Sequence, residues 1–173
     1  MPATDLFPRS HIEAAHALLA ILRHRNMRLV TAESCTGGLI AGLLTEIAGS
    51  SAVVERGYVT YSNEAKIECL GVPAQLILQH GAVSREVAEA MAVGALTHSH
   101  ADIAIAVTGI AGPDGGTVSK PVGLVHLAAH HRGHLTRHME CRFGDIGRIA
   151  IRLATVAEAL GLIKRSLPGE RPA

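Results

Sequence analysis

The chain of 173 residues has no tryptophan and only four other aromatic side chains, Phe7, Tyr58, Tyr61 and Phe143. That shortage excludes an aromatic platform for stacking bases or sugars, and it leaves the core to aliphatic residues. An excess of charge is missing as well: 16 Lys and Arg against 15 Asp and Glu give a net +1. Non-specific nucleic-acid binding through a broadly basic surface is thereby disfavoured, as is an acidic disordered tail. The three cysteines, Cys35, Cys69 and Cys141, show no CxxC spacing, which speaks against a disulfide framework or a zinc knuckle and for a reducing cytoplasm. No apolar run long enough to span a membrane is free of charge, turn glycine or proline, and charged and histidine residues interrupt the amino-terminal stretch before it takes signal-peptide form.

What is present is 48% apolar residues, enough for one compact domain. Turn and periodicity signals place that domain at 10–165, with 1–9 and 166–173 as flexible ends. Ser10 reads as the N-cap of an amphipathic helix reaching about 24–26, followed by a short strand at 28–32. A tight turn at Glu33-Ser34-Cys35 then leads into a helix over 36–47. A strand at 53–61, flawed at 55–57, precedes a helix capped by Ser62, a break at 71–73 and a helical turn at 74–79. Ser84 caps an alanine-rich helix to about 99, and 102–107 is a buried strand that opens into the glycine-rich loop 108–116. Strands near 122–129 and 135–143 form a hairpin, and 146–164 is a closing helix. This alternation predicts an α/β fold, a three-layer α/β/α sandwich with a mixed, mostly parallel sheet.

Several residues in this frame are candidates for chemistry. Ser34 leaves a strand just before Thr36-Gly37-Gly38, so its hydroxyl would lie among backbone N–H groups able to hold a phosphate or an oxyanion; a simple helix cap explains the same serine. Lys66 stands in a first helical turn, where the helix dipole disfavours its charge and favours a general base, although a solvated lysine fits too. Tyr61 ends the preceding strand and could share that rim or lie in the core. Thr108, Gly109, Ala111 and Gly112 leave the carboxyl end of a buried strand, where open sheets place ligands and glycines form anion nests. Lys120 could add charge toward a phosphate or face solvent. His126, His130, His131, His134 and His138 crowd the hairpin, but their spacing matches no metal-ligand pattern. Arg148, Arg152, Lys164 and Arg165 could form a small basic stripe on the last helix.

Four stretches occur in order: Thr31-Ala32-Glu33-Ser34-Cys35-Thr36-Gly37-Gly38, then 57–66 (Gly-Tyr-Val-Thr-Tyr-Ser-Asn-Glu-Ala-Lys), His80-Gly81-Ala82-Val83-Ser84, and Thr108-Gly109-Ile110-Ala111-Gly112-Pro113-Asp114-Gly115-Gly116. Together they resemble the CinA C-terminal domain family over about 12–164. The resemblance implies an amidohydrolase of pyridine-nucleotide salvage that converts nicotinamide mononucleotide to nicotinate mononucleotide and ammonia with no metal or other cofactor. It implies Ser34 as nucleophile with Lys66 and Tyr61 as partners. Thr36, Gly37, Gly38, Thr108, Gly109, Ala111, Gly112 and Lys120 would bind the substrate. It also favours a homo-oligomer, with a dimer first, and neither nucleic acid nor membrane as partner. Larger members add a nucleotide pyrophosphatase domain, whose activity is not expected here. After Gly144-Asp145 the chain departs from the family's Gly-Asp-Arg opening, which leaves open whether Arg148 or Arg152 meets a phosphate. The alternatives are a non-catalytic nucleotide- or partner-binding module of the same fold, and a cysteine hydrolase using Cys35, whose thiol would need a depressed pKa.

Overall fold

The structure, a computed structural model, describes residues 6–169. Its elements in chain order are α1 (Arg9–His24), β1 (Leu29–Glu33), α2 (Leu39–Glu46), β2 (Val54–Val59), α3 (Asn63–Leu70), α4 (Ala74–His80), α5 (Arg85–Thr97), β3 (Ile103–Gly109), β4 (Leu124–His131), β5 (Arg137–Arg142) and α6 (Arg148–Arg165). The strands form one sheet in the order β2-β1-β3-β4-β5. β1 pairs parallel with both β2 and β3, while β4 pairs antiparallel with β3 and β5. Only β4 therefore runs against the other four strands, giving the mixed, mostly parallel sheet expected from the sequence.

Strand alternation sorts the core into two layers. Ile103, Ile105 and Val107 of β3 face a cluster built with α1, α2 and α6, which includes Leu19, Leu22, Leu43, Leu44, Ile151 and Ile163. Ala104 and Ala106 face the other layer, where Val87, Met91 and Ala95 of α5 pack with Leu70 and Ile77. The small side chains on that face let α5 lie close to the sheet, and at Gly94 an added Cβ would fall 1.9 Å from the Leu70 carbonyl oxygen.

Local signals hold with some shifts. Ser62 and Ser84 cap α3 and α5, their hydroxyls accepting from the amides of Ala65 at 3.0 Å and Val87 at 3.3 Å. The flaw expected at 55–57 is a register shift, since Leu29 pairs with Val54 and Val30 with Arg56. Pro8 rather than Ser10 precedes α1, its carbonyl accepting from the amides of His11 and Ile12. The expectation that both ends are flexible needs correction at Phe7 and Leu167, which are 3% and 2% exposed and belong to the α1–α2–α6 core; residues 1–5 and 170–173 lie outside the described residues. No described helix is long and apolar enough to cross a membrane.

Candidate active site

The parallel strands β1 and β3 end side by side, and the Ser34 amide extends their ladder by donating to the Val107 carbonyl at 3.0 Å. On the other side the Thr60 amide donates to Glu33 at 2.8 Å. Ser34 is thus fixed at the carboxyl edge of the sheet between two neighbouring strand ends, a recurrent ligand position in α/β sheets.

The turn after Ser34 is shaped by a residue whose part the sequence reading missed. Glu33 is fully buried, and its carboxylate accepts from the amides of Gly38, Ile40 and Ala41 at 2.9–3.1 Å and from the Thr31 hydroxyl at 3.2 Å. Gly37 and Gly38 adopt positive φ of 61° and 95°, so α2 begins at Leu39 instead of 36. The amides at the start of α2, assigned from the sequence to an incoming anion, are already filled by this internal carboxylate. Among the described residues no carbonyl or carboxylate oxygen takes the amides of Cys35 and Thr36, and these are the donors left beside Ser34. From α6, Arg152 braces the same turn, Nε donating to the Cys35 carbonyl at 3.2 Å and its terminal nitrogen to that of Thr36 at 2.7 Å.

Lys66 reaches back from the first turn of α3 and is 1% exposed. Its Nζ lies 3.1 Å from Ser34 Oγ, 2.9 Å from the Thr60 carbonyl oxygen and 3.2 Å from that of Tyr61. Burial pushes the amine below the ordinary lysine range, and Cys35 and Glu64 oppose that shift. Nζ also lies 3.4 Å from the Ser62 carbonyl oxygen; a neutral amine has two N–H groups to share among these carbonyls and one lone pair for the Ser34 hydroxyl, the arrangement needed to remove its proton.

Ser34 and Lys66 open onto a cavity of about 210 Å³, lined also by Cys35, Tyr61, Asn63, Ala82, Val83, Thr108, Gly109, Ala111 and Arg148. At Gly109 the chain passes so close to β4 that a Cβ would fall 2.7 Å from Val125. The Thr108 hydroxyl donates to the Ala82 carbonyl at 2.8 Å. Gly112 does not line the cavity; its carbonyl accepts from Arg148 at 2.8 Å. Thr36 is fully buried, and its hydroxyl has no partner among the described residues.

Like Gly112, Gly37 and Gly38 lie outside the cavity lining, and Tyr61 takes the rim position but not contact of its phenol with Lys66. The Tyr61 side chain is 62% exposed, and its hydroxyl accepts from Arg148 at 3.2 Å, so only its backbone carbonyl meets Lys66. Lys120 lies outside the cavity lining, its amine on the carbonyls of His80 and Val83. Cys35 also fails the requirement set for a nucleophilic thiol, because burial pushes its pKa up to about 12. In the hairpin, His126 Nδ1 and His138 Nε2 are 3.0 Å apart and Thr136 bonds His130. Among the described residues no group of three or more His, Cys, Asp or Glu side chains is placed to hold a metal ion. Asn63, Ala82, Val83 and Arg148 complete the cavity; the sequence offered helix-face charge as a signal for Arg148 and a quoted motif for the other three.

These elements define a three-layer α/β protein whose strand-edge serine is served by a buried lysine. The CinA C-terminal domain model matches residues 11–167. The chain belongs to that family. It is 52% identical over 140 residues to an Escherichia coli (strain K12) protein named nicotinamide-nucleotide amidohydrolase PncC, covering 80% of this chain and 84% of that one. A CinA-like protein of Syntrophus aciditrophicus is 51% identical over 152 residues, 87% of this chain, and the chain spans only 36% of that relative's length. The crystal structure of the competence/damage inducible protein CihA from Agrobacterium tumefaciens superposes with a TM-score of 0.91 at 55% identity, covering 93% of this chain and 98% of that one.

Proposed function

We propose that this chain is a nicotinamide-nucleotide amidase of pyridine-nucleotide salvage, hydrolysing the carboxamide of nicotinamide mononucleotide to nicotinate mononucleotide and ammonia with Ser34 as nucleophile. The observation that carries the reading is the buried Lys66 amine 3.1 Å from Ser34 Oγ, and the name of the Escherichia coli relative supplies the substrate.

Neutral Lys66 takes the Ser34 proton as Oγ bonds to the carboxamide carbon. The oxyanion forms beside the amides of Cys35 and Thr36, where removing one such donor typically costs on the order of 3 kcal/mol of transition-state stabilisation. Lys66 returns its proton to the departing nitrogen and ammonia leaves an acyl ester on Ser34. Water, deprotonated by the same amine, then adds to the ester carbon; the C–Oγ bond breaks, the acid is released and Ser34 recovers its proton. Between the two arginines, Arg148 is the one we assign to the substrate phosphate, because it lines the cavity while Arg152 holds two turn carbonyls. Tyr61 belongs to the rim through Arg148 and is not the immediate base. All three cysteines are free, in keeping with a cytoplasmic setting, and the family resemblance supports a homodimer.

The deciding measurement is ammonia release by the purified protein supplied with nicotinamide mononucleotide. Turnover that disappears in Ser34→Ala is the expected result. Binding of the nucleotide without release would instead make the chain a binding module.

A further inference from the structure

The turn between α4 and α5 forms one wall of the Ser34–Lys66 cavity through Ala82 and Val83. Its carbonyls, from His80 to Val83, are all taken by side chains. Lys120 Nζ donates to His80 at 2.5 Å and to Val83 at 2.7 Å, the Ser84 hydroxyl to Gly81 at 2.9 Å, and the Thr108 hydroxyl to Ala82 at 2.8 Å. Surface turns usually leave such acceptors to water. Here four in succession are held by the protein, two of them by a single charged donor, and charge-assisted hydrogen bonds are the stronger kind. Gly81 makes room for that donor. Its φ is +75°, and a Cβ there would lie 2.9 Å from Lys120 Nζ.

We propose that Lys120 is a positioning residue for the reaction: it ties the glycine loop that follows β3 to the Ala82–Val83 wall and so fixes the distance from that wall to Ser34, instead of binding the substrate phosphate. The amine has three N–H groups and two are engaged on wall carbonyls, which leaves it poorly placed as a phosphate ligand. A wall held at His80 and Val83 by Lys120 and at Ala82 by Thr108 keeps the carboxamide carbon over Ser34 Oγ. Misplacement of a reacting group by about 1 Å can cost on the order of a hundredfold in rate.

The inference rests on the amidase reading, and the test separates the two. Steady-state rates are measured with nicotinamide mononucleotide and with nicotinamide riboside, which differs only by the phosphate, for the wild-type protein, Lys120→Met and Gly81→Ala. Hydrogen exchange of the peptide covering 80–84 is followed in parallel. The expected result is a fall in kcat of about tenfold or more in Lys120→Met, by the same factor for both substrates and with faster exchange at 80–84. Gly81→Ala, which keeps the charge but displaces the amine, should reproduce this pattern. A loss confined to the phosphorylated substrate, appearing in KM and absent from Gly81→Ala, would overturn the proposal and assign Lys120 to the phosphate. Unchanged exchange in both variants would overturn it as well. A wild-type protein that releases no ammonia from either substrate would sink the amidase reading, while the exchange data would still decide whether Lys120 holds the wall.

Discussion

Lys66 Nζ lies 3.1 Å from Ser34 Oγ, and neither residue is more than 8% exposed. The adjacent thiol of Cys35 is pushed up to about 12 and is protonated at neutral pH. Ser34→Ala is therefore expected to abolish ammonia release while nucleotide affinity, read by calorimetry, stays within a few-fold of wild type. Cys35→Ala should keep most of the activity. Robust turnover by folded Ser34→Ala would refute the serine mechanism.

With Lys66 as the proposed base, its lowered pKa should set the pH dependence of turnover. The base works only when neutral, so kcat/KM should rise with pH through the depressed lysine value and then level off. Lys66→Arg keeps a charge but supplies no neutral base, and it should be nearly as inactive as Lys66→Met. An active Lys66→Arg enzyme with an unchanged pH profile would remove proton transfer from the role of Lys66.

The same shift predicts a stability signature. In the unfolded chain the lysine titrates near its ordinary value of about 10.4, and in the folded protein it titrates lower. Between the two values the unfolded state binds more protons, so stability should rise with pH across that window. Urea midpoints measured from neutral to alkaline pH should show this rise in the wild-type protein and lose its lysine component in Lys66→Met. Parallel pH curves for the two proteins would contradict the assignment.

Removal of the Glu33 carboxylate should be costly even though it touches no substrate. Glu33→Ala leaves the amides of Gly38, Ile40 and Ala41 without their acceptor, and a loss of about 3–5 kcal/mol is expected from hydrogen bonds of this kind. Chemical denaturation measures it. A destabilisation below about 1 kcal/mol would mean that water replaces the carboxylate freely.

Chelation should leave turnover intact, because the proposed steps use a hydroxyl, an amine and backbone donors. Activity lost in EDTA and restored by a divalent cation would return attention to the hairpin histidines.

Local grammar, a strand running into a glycine turn and a serine-capped helix with lysine in its first turn, makes Ser34 and Lys66 candidates but fits a plain cap and a solvated lysine as well; the family resemblance is what singles them out. The capping serines Ser62 and Ser84 were readable from local grammar alone. Contacts made by long side chains across many residues left no such trace. Lys120 looked like a solvated or phosphate-binding cation, yet its partners lie at His80 and Val83. Tyr61 sits beside Lys66 in sequence order, but its phenol turns toward Arg148, a residue of α6. The sequence places the start of α2 too early because the apolar spacing of Leu39, Ile40, Leu43, Leu44 and Ile47 marks the helix without marking its first residue, which two left-handed glycines and the Glu33 carboxylate decide. Phe7 reads as part of a loose end because a single aromatic before a proline has no period to follow; its burial comes from the α1–α2–α6 core, where its ring lies near Gly42 of α2.

Glu33 also gives the cavity a sense of direction. The start of α2 would ordinarily attract small anions, but its amides are occupied by the protein's own negative group, and Arg148 stands in the cavity wall as an arginine in contact with the rim tyrosine. Nicotinamide mononucleotide is anionic at its phosphate and carries a cationic pyridinium ring beside the neutral carboxamide. With the α2 amides closed to anions, the phosphate of the proposed substrate would be drawn to Arg148 beside the exposed Tyr61, which leaves the carboxamide end for Ser34.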